Sequence, residues 1–206
     1  MTTGLEARAL ACSRGFATLF RDVSFNVAAG EWLALRGANG SGKTTLLRCV
    51  AGLTQPDAGD VLWNGEPTRR DATRFRKDLC YSGHLAGIKD DLSAEENLAE
   101  LLALRGVAVK ADAIRGALAS AGLDKRRMLP ARRLSAGQRR RIGLARLILD
   151  PAPLWALDEP LTALDDEGQQ LFERLLADHI AAGGMALIAT HHALATPAAR
   201  ELRLAA

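Results

Sequence analysis

Hydrophobic and polar positions change rhythm several times along the chain, and each change marks an element. Residues 1 to about 30 alternate between apolar and polar character, broken by turn residues, and DVLWNG at Asp60–Gly65 closes on an Asn-Gly pair. Alternation with period two together with that turn predicts an antiparallel sheet. EWLALR at Glu31–Arg36 is instead a short apolar run of strand length. After a glycine-rich stretch, Thr45–Ala51 is apolar and helix-permissive up to a C-terminal stop at Gly52. Around Ser93 the period lengthens: Ser93 and Glu96 have capping-box spacing, and Leu98, Leu101, Leu102 and Arg105 carry a helix forward. Lys110–Ala121 predicts a second helix and Gln138–Leu149 a third. Leu154–Leu157 and Met185–Thr190 have the continuous apolarity of buried strands. Between them, a helix from Asp165 presents Leu171, Leu175, Leu176 and Ile180 on one face before Gly183 and Gly184 end it.

The glycine-rich stretch carries the first chemistry. GANGSGKT, comprising Gly37, Ala38, Asn39, Gly40, Ser41, Gly42, Lys43 and Thr44 and continued by Thr45, has the Gly-x-x-x-x-Gly-Lys-Thr spacing of a phosphate-binding loop. In such a loop glycines let backbone N–H groups curl around phosphate oxygens, and Lys43 is expected to reach the terminal phosphates while Thr44 holds magnesium. Its setting of strand, loop and helix is the required one, because a helix N-terminus then points its partial positive charge at the phosphates. The second element is the strand Leu154–Leu157, which delivers Asp158 and Glu159 at its C-terminal end, where parallel sheets build ligand sites. Asp158 is placed to assist magnesium. Glu159, pointing the other way on an extended chain, is expected to take a proton from an attacking water. The plainer alternative is a carboxylate pair that caps the next helix.

LSAGQ at Leu134–Gln138 lies between these two motifs. Ser135 offers a hydroxyl and Gly137 an unobstructed N–H, at the start of a helix whose N-terminus favours an anion. With this pentapeptide the chain resembles the ATP-binding-cassette (ABC) ATPases over nearly all of its length. That resemblance implies an α/β fold: a P-loop NTPase nucleotide-binding domain with a RecA-like parallel core, an N-terminal antiparallel β subdomain and a helical subdomain at about 85–145. All of 1–206 then forms one domain. It also implies a homodimer in which Ser135 and Gly137 meet the γ-phosphate bound to the other subunit. Ala163, Leu164 and Asp165 become the contact loop between subunits. His191, in preference to His192, becomes the switch at the γ-phosphate, giving Glu159, His191 and Lys43 as the catalytic set with ATP and Mg²⁺.

Composition bounds these readings. The 206 residues are 48% hydrophobic, enough for a core, and Cys12, Cys49 and Cys80 are an odd number lying in apolar or motif segments, which reads as reduced packing. MTTGLEARAL has no apolar core of signal-peptide length, and no stretch approaches 18 uncharged apolar residues, so the chain is expected neither to span a membrane nor to be exported. The net charge of +3 comes from clusters such as Arg69, Arg70, Arg74, Arg76 and Lys77. With only 4% aromatics these read as solvated faces, and no direct nucleic-acid contact is expected.

Two positions depart from the general cassette pattern. His84, in LCYSGH, stands where the family has a glutamine that touches magnesium and reports to the membrane partner. Arg14, with Phe16 two residues on, stands near the aromatic that stacks on adenine, and either side chain can serve. YSGHLAGIK at Tyr81–Lys89, LACSRG near the start and PLWALDEPLTALD make the chain similar to the CcmA group, the ATPase subunits of cytochrome c maturation (haem export) systems. The resemblance implies separate, haem-handling membrane subunits of the CcmB/CcmC type, a peripheral place on the cytoplasmic face of the inner membrane, and no haem on the chain itself. The alternatives are the ATPase subunit of another ABC transporter, a soluble mechanical ABC ATPase acting on nucleic acid or ribosomes, and a regulator that does not turn over. The last is expected to have lost a catalytic group, yet Lys43, Asp158, Glu159 and His191 are all present.

Overall fold

The computed structural model describes residues 4–83, 87–197 and 200–204. Strands β1 (Gly4–Arg14) and β2 (Ala17–Ala28) form an antiparallel hairpin, and β1 also pairs with β4 (Ala58–Trp63), which turns into the short β5 (Glu66–Pro67). The turn is the expected Asn-Gly: Asn64 and Gly65 both have positive φ, 51° and 83°, and the Asn64 Oδ1 accepts the Gly4 N–H at 2.9 Å.

The second sheet is parallel. It runs in the order β6 (Leu79–Ser82), β7 (Leu154–Asp158), β8 (Met185–Ala189), β3 (Trp32–Arg36), β9 (Arg200–Arg203). Every residue of β7 and β8 is buried, which explains their continuous apolarity: helices or the other sheet cover both faces. Period two splits their side chains between two cores. Trp155, Leu157, Ala186 and Ile188 join helices α3 (Ala94–Leu104), α4 (Ala111–Ser120), α5 (Ala136–Leu149) and α6 (Asp166–Ala181). Leu154, Ala156, Leu187 and Ala189 instead pack with α1 (Lys43–Val50) and the antiparallel sheet. The ladder places Asp158 and Leu35 on either side of Ala189, so the ends of β7, β8 and β3 lie side by side.

Two elements were not expected. Helix α2 (Ala72–Asp78) lies inside the basic cluster. It is capped by Asp71, whose side chain accepts the Arg74 N–H, and anchored by Phe75, 6.0 Å from the Trp63 ring. One buried residue in seven leaves no readable period. β9 is almost wholly exposed and owes its existence to pairing with β3. Helix α1 also begins two residues before the expected Thr45, which puts Lys43 and Thr44 in its first turn.

A buried ion pair closes the helical group onto the sheet. Asp150, just after α5, has a fully buried carboxylate that accepts from the Arg105 Nη2 at 3.0 Å, and the same guanidinium donates to the Arg76 and Lys77 carbonyls at the end of α2. Burial alone raises the Asp150 pKa; the Arg105 hydrogen bonds and the charges of Arg105 and Arg146 bring it below the ordinary value. The three cysteines are free and buried, and burial pushes the Cys49 and Cys80 thiols up to about 12, which keeps them protonated. Among the described residues no helix is long and apolar enough to cross a membrane.

Candidate functional site

An open cleft of about 770 Å³ lies at the C-terminal ends of β3 and β7, lined by Asn39, Lys43, Thr44, Asp158 and Glu159, with Arg14 at its outer side. Its floor is the phosphate loop between β3 and α1. Two glycines there have no substitute. At Gly37 a Cβ would stand 2.4 Å from the Ser41 Oγ and 2.9 Å from the Leu204 carbonyl; at Gly42, with φ 94°, it would press on Leu19 and Phe20 at 3.1 Å. Gly42 is also the N-cap of α1, and no side chain caps it. The helix therefore meets the cleft with its first-turn N–H groups uncovered by any cap.

Lys43 is only 8% exposed. Its Nζ donates to the carbonyls of Gly37 at 2.7 Å and Ala38 at 3.0 Å, so the ammonium is folded over its own loop. An ammonium has three N–H bonds, so one remains for a phosphate oxygen. The Thr44 hydroxyl donates to the Asp158 Oδ2 at 2.7 Å, a bond between residues 114 positions apart in sequence that ties the loop to the end of β7. Asp158 is 3% exposed. The Ser41 Oγ is buried with no partner among the described residues, a polar atom facing into the loop's own curl.

Glu159 corrects an expectation. It does not continue the extended strand: β7 ends at Asp158, and Glu159 has φ 49°, in the left-handed region. A turn of the backbone, and not strand alternation, is what separates the two carboxylates. The Glu159 N–H donates to the Ala189 carbonyl at 2.8 Å, and its own carbonyl accepts from the Arg140 Nη2 at 2.7 Å. Its Oε1 is buried without an aligned hydrogen-bond partner, although the His191 Nε2 stands 3.3 Å away. Of the histidine pair after β8, His191 is therefore the one beside Glu159, while the His192 backbone N–H donates to the Thr190 Oγ1 at 3.1 Å. Arg36, which sequence reasoning passed over as a strand end, secures that loop: its Nη1 donates to the carbonyls of Thr190 and His192.

LSAGQ does not line the cleft. Ser135 is the N-cap of α5 in a closed capping box: its Oγ accepts the Gln138 N–H at 3.2 Å, and the Gln138 Oε1 accepts the Ser135 N–H at 3.1 Å. At Gly137 a Cβ would sit 2.6 Å from the Ala163 carbonyl, so the position has no room for a side chain. The segment after β7 thus leans on the signature turn. In that segment Ala163 is exposed with φ 64°, Leu164 is buried, and Asp165 caps α6 through the Gly168 N–H while accepting from the Arg141 Nη2 at 2.5 Å. Those hydrogen bonds, Arg141 first, hold the Asp165 pKa below its ordinary value. Phe16 is fully exposed, and Arg14 is the member of that pair on the cleft wall. His84 lies outside the described residues.

Sequence reasoning also passed over Arg140. Arg139, Arg140 and Arg141 follow the signature directly, and on a helix consecutive residues point about 100° apart. They reach three different places: Asp90, the Glu159 carbonyl, and the Ala121 carbonyl with Asp165. Arg139 makes an exposed pair, whereas Arg140 and Arg141 turn toward the protein, which a purely solvated face would not require.

Comparison with known proteins agrees with this geometry. A family model described as ABC transporter matches residues 20–162. The chain is 48% identical over 200 residues to the cytochrome c biogenesis ATP-binding export protein CcmA of Nitrosomonas europaea, covering 94% of each. It is 49% identical over 201 residues to CcmA 1 of Salmonella paratyphi A, covering 98% of this chain and 96% of that protein. Among solved structures, a putative ABC transporter ATP-binding protein of Pyrococcus furiosus superposes with TM-score 0.83 at 25% identity, covering 98% of both chains. A dimeric ATP-binding cassette in a post-hydrolysis state with ADP and Pi shares the fold at TM-score 0.78, covering 91% of this chain and 88% of that one at 23% identity. An uncapped phosphate loop bonded to a strand-end carboxylate, a signature turn set apart from it, and these matches together place the chain in the ABC transporter family, as an ATP-binding ATPase subunit.

Proposed function

We propose that this chain is the ATP-hydrolysing subunit of a cytochrome c maturation (haem export) complex, working as a homodimer against separate haem-handling membrane subunits of the CcmB/CcmC type at the cytoplasmic face of the inner membrane. The observation that carries the chemistry is the Thr44–Asp158 bond, which joins the phosphate loop to the end of β7 with Glu159 as the next residue. The partner assignment rests on near full-length similarity to proteins named for cytochrome c biogenesis and export.

The chemistry follows from the donors. The first-turn N–H groups of α1 and the remaining N–H of Lys43 bind the phosphates of ATP. A hydroxyl and a carboxylate oxygen 2.7 Å apart are hard ligands that fit magnesium, so Thr44 and Asp158 would hold it. A magnesium ion held by these two residues would supply charge neutralisation at the phosphates. Glu159, its backbone held at both N–H and carbonyl and its Oε1 without an aligned hydrogen bond, orients a water and takes its proton. His191, whose Nε2 lies 3.3 Å from the Glu159 Oε1, is assigned to donate to the γ-phosphate oxygens. Ser135 and Gly137, absent from this chain's own cleft, complete the site of the second copy. The energy of hydrolysis drives release of a haem-loaded chaperone by the membrane subunits, and the chain itself touches neither haem nor nucleic acid.

Glu159→Gln tests the chemistry. Loss of a general base lowers rates by about 10²- to 10⁴-fold. The variant is expected to bind Mg-ATP, to nearly stop hydrolysing it in single turnover, and to accumulate as a dimer on sizing, whereas Asp158→Asn weakens magnesium-dependent binding. Hydrolysis by Glu159→Gln within a few-fold of the parent removes the assigned base. Recovery of a solute permease, in place of haem-handling proteins, with the chain from solubilised membranes redirects the partner assignment.

A further inference from the structure

We infer that Arg140 is a positioning residue for hydrolysis: from the first turns of the signature helix it holds the Glu159 peptide in its left-handed turn, so that the direction of the catalytic carboxylate depends on where α5 sits. The inference rests on the reading of Glu159 as the base. Three observations support it.

The first is geometric. Glu159 is one of five non-glycine residues with positive φ among those described, and its conformation is pinned on both sides: the N–H to the Ala189 carbonyl on β8, and the carbonyl to the Arg140 Nη2 at 2.7 Å on α5. A left-handed glutamate persists only where the surroundings over-determine it. Of the two clamps, the one from β8 belongs to the rigid sheet. The other comes from a separate element that packs chiefly on α3 and α4.

The second observation concerns the environment of the guanidinium. Arg140 is half-buried, and burial lowers its pKa while attraction to the Asp158 and Glu159 carboxylates raises it again. An arginine kept for solubility has no reason to sit desolvated beside two carboxylates. Lysine would bring one point donor in place of a planar fork, and glutamine would bring no charge.

The third is the position of Arg140 along α5. Ser135 caps that helix, and Arg140 lies five residues on, a turn and a half from the cap. The signature turn that meets a nucleotide on the second copy and the clamp on this chain's own base are therefore parts of one short rigid element. Docking of ATP against Ser135 moves or fixes α5, and through Arg140 the Glu159 carboxylate is aimed. Hydrolysis at each site then waits for the signature turn of the same chain to be occupied at the other.

A double-mutant cycle in single-turnover hydrolysis, on the full-length chain with Mg-ATP, tests this. Arg140→Gln is expected to lower kcat about tenfold with KM for ATP within about twofold, since misaligning a base costs rate and leaves ground-state binding alone. Arg140→Lys, which keeps a donor and a charge, is expected to recover part of that loss, and both variants to melt within a few degrees of the parent. In the Glu159→Gln background, Arg140→Gln is expected to change the residual rate less than about twofold, because the group through which it acts is gone. The same tenfold loss in both backgrounds, an unchanged kcat, or a raised KM at constant kcat overturns the inference. If Glu159→Gln alone hydrolyses like the parent, the failure lies in the assignment of the base and not in Arg140.

Discussion

Two helices of this chain begin at motifs to which we assign phosphate contacts, and they begin differently. Helix α1 starts at Gly42 with φ 94°, with no side-chain cap and no acid in its first turn. Helix α5 also has no acid in its first turn, yet it is sealed by the reciprocal Ser135–Gln138 capping box. The first opens into this chain's own cleft and the second lies outside it. Elsewhere the contrast is sharper: α3 and α6 carry Glu95, Glu96, Asp166 and Glu167 in their first turns, charges that satisfy a helix N-terminus and repel a phosphate. The difference teaches what each start is for. An uncapped N-terminus leaves its first-turn N–H groups free to meet a phosphate in this chain's own cleft. A capped one spends its donors on its own side chains, but the Ser135 Oγ, while accepting from the Gln138 N–H, still has its proton to donate to a ligand brought by another molecule.

The largest expected effects come from removing each site in turn. Ser135→Arg should leave ATP binding to the isolated chain unchanged and lower turnover by roughly a hundredfold or more, as loss of a donor to a developing charge does. Lys43→Ala should instead weaken binding itself roughly tenfold to a hundredfold, the range of a charge-assisted hydrogen bond. Nucleotide titration alongside single-turnover rates separates the two, and equal losses of binding in both variants would break the comparison.

A smaller effect is expected from Gly137→Ala. The new Cβ would meet the Ala163 carbonyl at 2.6 Å, so the segment after β7 must shift, at a cost of about 1–3 kcal/mol. Thermal unfolding measures the cost. A change in turnover beyond that seen in melting would show that the contact between signature turn and Ala163 also serves the site.

The smallest effect lies far from both helix starts and serves as their control. His179 stacks on Trp155 with ring centroids 3.9 Å apart, and burial lowers its pKa from 6.5, only partly offset by hydrogen bonds to the Met185 and Pro153 carbonyls. The unfolded chain therefore takes up a proton at a higher pH than the folded one, and stability falls as pH drops through about 6.5 and on towards the folded-state value. His179→Gln should flatten the fall in melting temperature between pH 7.5 and 5.5 without altering KM for ATP. A parent and variant with equal slopes would discharge His179 from that role.

Much of this is legible in the sequence. The phosphate loop, the buried strands β7 and β8, the capping box at Ser93 and the Asn64-Gly65 turn each depend on a few neighbouring residues, so their patterns survive in sequence. Helix α2 and strand β9 did not show, since one is held by Phe75 alone and the other by pairing with β3. Asp158 and Glu159 were recognisable as a pair, but the extended geometry expected of Glu159 was wrong. Its left-handed turn is imposed by hydrogen bonds to Ala189 and Arg140, neither of which is local.

By itself, then, the sequence determined which groups are available: a loop whose glycines admit phosphate, a lysine and a threonine after it, two carboxylates at a strand end, and a second helix start that can cap itself. These follow from short-range sterics and donor chemistry, which need only adjacent residues. The tertiary structure alone decided that Thr44 bonds Asp158, that Lys43 folds over its own loop, that His191 and not its neighbour stands by Glu159, and that of three successive arginines one clamps the Glu159 carbonyl. Those choices join elements that are distant in sequence, and the order of strands in the sheet, set by burying both its faces, is what brings them within hydrogen-bond reach.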